Sequence, residues 1–251
     1  MNKYLIYPAA LLLLIGSVSC SKTKGQKEPA SVKEITAIVK DEQEDAFSIN
    51  ARRKKIKDFV PKGYVIFDTI YGDLNKDGQE DCVFIIKATD KSQFINDESR
   101  GELDRNRRGI IVLLKKNDAY ELVVINYNCF SSENEDGGVY FAPELSFEIS
   151  KGKLFINYSH GRYGYWEYTF RYQNSDLELI GYDSSSNSGP VINSETSINF
   201  LTGKRITNEN TNENADSGEE VFKKIVAKVS KNKLTKLSEI EDFDEFQVLD
   251  Q

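Results

Sequence analysis

Tyr64-Val65-Ile66-Phe67-Asp68-Thr69-Ile70 and Cys82-Val83-Phe84-Ile85-Ile86 flank the loop Asp73-Leu74-Asn75-Lys76-Asp77-Gly78-Gln79-Glu80-Asp81. Two short β-branched and aromatic runs around a cluster of turn formers read as strand, loop, strand. Oxygen-bearing side chains fall at loop positions 1, 3, 5 and 9, as Asp73, Asn75, Asp77 and Asp81. In a tightly curled loop alternate residues point inward, so this spacing converges on one centre. A hard cation such as Ca²⁺ takes six to eight oxygens in loose geometry. Gln79 at position 7 would add its backbone carbonyl, and Gly78 at position 6 permits the sharp turn. The expectation is a structural Ca²⁺ site at Asp73, Asn75, Asp77, Gln79 and Asp81. The alternative is an ion-free turn, since Asn, Asp and Gly favour turns in any case.

An EF-hand needs a bidentate Glu at position 12. Here that position is Phe84, inside an apolar run. The EF-hand reading fails, and the loop instead resembles the strand-joining calcium loops of integrin-type (FG-GAP) propeller repeats.

Working outward, the hairpins continue. Ile110–Lys115 and Tyr120–Tyr127 flank Lys116-Asn117-Asp118-Ala119, and Leu145–Ile149 and Lys153–Tyr158 flank Ser150-Lys151-Gly152. Tyr165–Tyr172 and Leu177–Asp183 are joined by Gln173-Asn174-Ser175-Asp176, and Thr196–Phe200 and Lys204–Thr207 by Leu201-Thr202-Gly203. Trp166, Tyr168, Phe170 and Tyr172 alternate with Glu167, Thr169 and Arg171, giving one aromatic and one polar face. That aromatic face reads as core, with a sugar-stacking platform as the alternative. Thr89–Arg108, Ser131–Tyr140 and Ser184–Ser194 read as polar loops. Val221–Val229 leans to strand over helix. Leu234–Phe246 should lay a short segment back on the domain. Asp45–Val60 reads as one helix packing a side of the sheet, stopped by Pro61-Lys62-Gly63. The fold class is mostly β, an antiparallel hairpin meander, curled or propeller-like, with one N-terminal helix.

The first twenty residues carry an address. Lys3 precedes the apolar run Leu5–Ile15, which is shorter than the about 20 residues of a membrane-spanning helix and fits a signal segment. Ser17-Val18-Ser19-Cys20 then resembles a bacterial lipobox, although the usual Leu three residues before the cysteine is Ser17. The expected organisation is a signal peptide over 1–19, lipid on Cys20, a flexible tether over 20–44, a β domain over 45–207, a mobile acidic linker over 208–220 and a C-terminal segment over 221–251. Such a chain hangs on the membrane by lipid and faces the periplasm or exterior, most simply from a Gram-negative outer membrane.

From Pro61 to Thr207 the chain resembles a group of uncharacterised bacterial lipoproteins. The likeness rests on Gly72–Gly78, Arg108-Gly109, Trp166–Tyr172 leading into Leu179-Ile180-Gly181, and the Asn199–Gly203 turn. It implies an envelope address and a β fold, and no activity.

The 251 residues carry a net charge of −7, which argues against a nucleic-acid partner. The lone histidine, His160, lies in a Gly-rich turn without a Gly-x-Ser-x-Gly elbow anywhere in the chain. One His and the separated Cys82 and Cys129 do not make a zinc site, and no phosphate-binding glycine loop occurs. Cys82 and Cys129 are expected as separate thiols, with a disulfide as the alternative. The functional expectation is a membrane-anchored binding protein whose partner is a protein, peptide or glycan. The alternative is an envelope glycan hydrolase using paired carboxylates, although no pair among the 40 acids stands out.

Overall fold

A computed structural model describes residues 48–136, 142–230 and 233–248. The expected signal segment, Cys20 and the tether lie outside the described residues. The strands, in chain order, are β1 (Arg52–Arg53), β2 (Tyr64–Gly72), β3 (Asp81–Ala88), β4 (Phe94–Asp97), β5 (Gly101–Asp104), β6 (Arg108–Lys116), β7 (Ala119–Phe130), β8 (Glu144–Ser150), β9 (Lys153–Ser159), β10 (Gly164–Gln173), β11 (Asp176–Ser188), β12 (Val191–Asn199), β13 (Lys204–Asn210) and β14 (Phe222–Lys228).

They form a five-stranded sheet in the order β1-β7-β6-β3-β2, a seven-stranded sheet running β14 to β8 without a crossover, and the small hairpin β4-β5. Every pairing is antiparallel. The mostly β meander expected from the sequence is therefore observed. The strands divide between two large sheets rather than into repeated blades, and neither sheet closes into a barrel.

Period-2 alternation explains why the five-stranded sheet is buried on both faces. On β3, Val83 and Ile85 face the core shared with the second sheet, while Cys82, Phe84 and Ile86 face the other way. On β6, Ile110, Val112 and Leu114 alternate in the same manner with Ile111 and Leu113. The shared core takes Leu154, Ile156, Tyr168 and Phe170 from the seven-stranded sheet, and Leu237, Ile240 and Phe243 from the C-terminal segment. The aromatic stripe of β10 thus packs as core, with Trp166 and Tyr172 half-buried at its ends.

The outer face of the five-stranded sheet is covered by the stretch before Pro61. Over its described part this stretch is β1 and a single 3-10 turn, Ile56–Phe59, rather than an α-helix; residues 45–47 of the expected helix lie outside the described residues. Ile56 and Phe59 fit because positions i and i+3 eclipse in a 3-10 turn, so both reach the same apolar cluster, Phe59 with no exposed surface. Two other expected loops also contain strands. Thr89–Arg108 holds the β4-β5 hairpin, and Ser184–Ser194 is the end of β11, a turn at Gly189 and the start of β12. The seven-stranded sheet continues past residue 207, since β14 pairs with β13 along its whole length. The acidic segment between them is closed by hydrogen bonds, with Thr211 N–H donating to Val221 O at 2.8 Å and Val221 N–H to Asn210 Oδ1 at 3.1 Å.

Cys82 and Cys129 are both free and buried. They lie on opposite faces of the five-stranded sheet, Cys82 in the outer cluster and Cys129 in the shared core.

Candidate functional site

The loop between β2 and β3 curls through two left-handed residues, Lys76 at φ 61° and Gly78 at φ 82°. That conformation turns backbone N–H groups inward, toward the acidic side chains. Asp77 N–H donates to Asp73 Oδ1 at 3.1 Å and to Asn75 Oδ1 at 2.9 Å, and Gly78 N–H donates to Asp73 Oδ2 at 2.9 Å. Gln79 N–H donates to Asp77 Oδ1 at 2.9 Å, and Asn75 Nδ2 donates to Asp77 Oδ2 at 2.9 Å. Positions 1, 3 and 5 are therefore brought together in the expected order. The N–H of Gln79, then burial working in the opposite direction, then Asn75 and Lys116 set the Asp77 carboxyl, which ends below the usual carboxylate range.

Asp81 plays a different part. It has no exposed surface and reaches both ways out of the loop. Leu74 N–H donates to its Oδ2 at 2.8 Å, and Lys115 N–H, from the end of β6, donates to its Oδ1 at 2.8 Å. Gln79 makes a second tie, its Oε1 accepting from Asn117 N–H at 3.0 Å. Loop position 9 thus fastens the β2-β3 connection to the β6-β7 hairpin, while Leu74 is inserted into the shared core. Burial pushes the Asp81 carboxyl above its ordinary value against these hydrogen bonds.

Lys116 Nζ lies 3.8 Å from Asp77 Oδ2, and Lys76 and Lys151 border a cavity of about 410 Å³ beside Asp73. Among the described residues no group of three or more His, Cys, Asp or Glu side chains stands in metal-ligating geometry. The donor set of the loop is nonetheless all oxygen, the chemistry that suits Ca²⁺.

The acids of the Ser131–Tyr140 loop are spoken for. Glu133 pairs with Lys87, Glu135 with Arg105, and Asp136 with Arg100 and Arg105. Asp104 also pairs with Lys87, at 2.7 Å. Lys87 and Arg108 are cross-strand partners, and both lie over the ring of Phe67. Arg108 is 6 % exposed and donates from Nε to Ser131 O at 2.8 Å. His160, half-buried, follows β9 and precedes the turn Gly161–Tyr163, with its ring against Tyr163.

The C-terminal segment, expected to lie back on the domain, does so over the inner face of β10–β12. There the C-terminal segment folds across Trp166, Tyr168 and Tyr182, leaving an open cleft of about 540 Å³ with Phe246, Asp244 and Gln247 on its other side. The alternation of β10 gave the aromatic wall, but the opposite wall arrives from some 75 residues later in the chain, at a distance in sequence that local patterning does not span. A further cavity, about 530 Å³, lies beside Tyr64, Asn106 and Asn128. On the outer face of the same sheet, Glu167 and Asp183 are direct cross-strand partners. No helix among the described residues is long and apolar enough to cross a membrane. No protein-family model matches the chain, and neither curated protein sequences nor solved structures yield a match.

Proposed function

We propose that the chain is a lipid-anchored protein of the cell envelope that binds a partner through its β domain, with loop 73–81 as a calcium clasp. Lys3, Leu5–Ile15 and Ser17-Val18-Ser19-Cys20 support the address. The observation that carries the calcium reading is the convergence of Asp73 Oδ1 and Asn75 Oδ1 on a single N–H, that of Asp77. The loop's own hydrogen bonds help to hold its curl, and bound calcium would add to that stability. At about 2 mM Ca²⁺ and a Kd of about 0.1–1 mM, linkage gives about 0.6–1.8 kcal/mol. For a domain of this size that is a Tm rise of about 1–7 °C. The test is thermal melting with calcium against chelator. Asp77→Ala should remove the rise, and identical wild-type curves would sink the ion. For the anchor, Cys20→Ser should release the protein from membranes, and retention would point to another attachment.

A second reading, envelope glycan hydrolysis by paired carboxylates, has one observation in its favour. Burial raises the pKa of Glu167, and the opposing Asp183 raises it further, as a general acid requires. Directly opposed strand residues have Cβ atoms about 4.5–5.5 Å apart, near the carboxyl separation of retaining glycosidases. Against it, neither residue lines any cavity described above. Glycan turnover lost in Glu167→Gln would establish the hydrolase, whereas a silent screen beside a recovered binding partner favours the binding protein.

A further inference from the structure

We infer that the cleft between the inner face of β10–β12 and the C-terminal segment is a saccharide site, taking neutral pyranose rings against its aromatic wall and their hydroxyls at Asp244 and Gln247. This deepens the binding reading above and rests on it.

The wall comes first. Tyr168 is the buried hub of an aromatic cluster, with its ring 5.4 Å from Tyr182, 5.0 Å from Phe243 and 5.9 Å from Phe246. These rings are tilted 44–70° to one another, and Tyr168 and Phe243 are each 3 % exposed, so the aromatic surface open to a ligand is that of the half-buried Tyr182 and Phe246. Trp166, also half-buried, adds a third partly open ring. A pyranose presents C–H groups on its faces and hydroxyls around its rim, so it needs both an apolar plane and polar acceptors at the edge. The cleft offers both, because Asp244 and Gln247 are exposed and line it together with Trp166 and Tyr168. Its volume of about 540 Å³ lies within the usual span of small-ligand sites.

Beneath the wall lies a further polar group. Tyr158 stacks behind Trp166, with ring centroids 5.2 Å apart and planes 12° from parallel. Its hydroxyl is buried and makes no hydrogen bond. A buried, unpartnered hydroxyl is costly, and Tyr158 itself is not among the residues that line the cleft. Asp244, which lines the cleft, is the charged group that acts most strongly on this hydroxyl.

The charge at the cleft sets the ligand class. Asp244 is the charged side chain among its described lining residues, and the whole chain is acidic. A carboxylate accepts hydrogen bonds from sugar hydroxyls and repels uronic acids and phosphates. Neutral saccharides fit, and acidic ones are disfavoured.

The chain has a single tryptophan, so the emission of Trp166 reads the cleft directly. The experiment titrates cellotetraose and chitotetraose into the detergent-solubilised full chain, with tetragalacturonate as the acidic comparison. The expected result is a saturable emission change with at least one neutral sugar, and binding of the acidic sugar about tenfold weaker or more. Gln247→Ala and Asp244→Asn, both at exposed positions, should weaken neutral binding about two- to tenfold, the worth of one hydrogen bond. No emission change up to about 10 mM neutral sugar, a concentration that detects any Kd of biological use, would overturn the inference. So would equal binding of tetragalacturonate, or wild-type affinity in both variants. A protein that recovers a partner from envelope extracts yet ignores these sugars would refute only the ligand class. Sugar binding by a chain that never reaches the membrane fraction would refute only the envelope reading.

Discussion

Replacing Asp81 tests the clasp most directly. Its carboxylate has no exposed surface and accepts from the N–H groups of Leu74 and Lys115, each at 2.8 Å. Asp81→Ala leaves both donors unmet. A buried donor without a partner costs about 1–3 kcal/mol. Leu74 is buried, so its N–H should bear the full cost, whereas Lys115 lies at a half-buried strand end where water can partly replace the lost acceptor. The expected loss is about 2–4 kcal/mol from a total stability of about 5–15 kcal/mol. Asp81→Asn keeps one carbonyl oxygen and should lose about half as much. The assay is urea unfolding followed by Trp166 emission, in chelator so that no ion contributes. The midpoint should fall while the slope stays constant.

Titration of the same residue supplies an internal check. Burial raises the folded-state pKa of Asp81 above its ordinary value of 3.8. An acid whose pKa is raised on folding favours the fold in its protonated form. Its contribution is fully present below the unfolded value and is lost as the pH rises through the folded one. Asp81→Asn carries no such proton, so its deficit relative to wild type should be larger at acid pH than at neutral pH. An Asp81→Ala protein within about 0.5 kcal/mol of wild type would refute the tie, since only surface changes are that mild.

Two further predictions follow from packing. A Cβ at Gly109 would sit 2.2 Å from Asn126 O and 2.3 Å from Tyr127 O, so Gly109→Ala must push the β6-β7 ladder apart and should cost about 1–3 kcal/mol or more in the same urea assay. Burial pushes the Cys82 thiol up to about 12 and the Cys129 thiol still higher, so in Cys20→Ser protein a thiol-reactive dye should label neither until the protein is unfolded; rapid native labelling of either would contradict their burial.

The turns were the most legible part of the fold, because their residues carry backbone chemistry. Asn117, Lys151 and Asn174 all adopt positive φ at the tips of expected hairpins, with Gly152 and Ser175 beside them in the same region. The strands that escaped sequence reading are those without apolar alternation. Ser184 to Ser194 is almost wholly small and polar, yet β11 and β12 continue through it because each pairs with the other across the Gly189 turn. Pairing of this kind is a tertiary property that local propensity does not record. The 3-10 turn at Ile56–Phe59 departs from the expected helix for the opposite reason. Its apolar spacing suits a helix, but Lys55 and Val60 are both extended, which confines the turn to four residues. In the candidate site, the convergence of Asp73, Asn75 and Asp77 was readable from spacing, whereas the attachment of Asp81 to Lys115 across 34 residues was not.

The clasp and the cleft draw on different parts of the molecule, and this bears on how the two readings relate. Asp81 and Gln79 fasten the loop to the β6-β7 hairpin, so the clasp acts within the five-stranded sheet. The cleft is built on the seven-stranded sheet and the C-terminal segment. What joins them is the shared core, which receives Leu74 from the loop, Cys129 and Phe130 from β7, and Tyr168 and Phe243 from the cleft wall. Phe130 stacks on Phe243 at 4.9 Å, and Phe243 N–H donates to Cys129 O at 3.0 Å. The C-terminal wall of the cleft is thus hung on β7, the same strand whose hairpin partner holds Asp81. Loosening the clasp should therefore reach the cleft by way of β6 and β7 rather than by any direct contact. In this arrangement the most conspicuous motif in the sequence steadies a surface whose own chemistry is spread over residues that no motif connects.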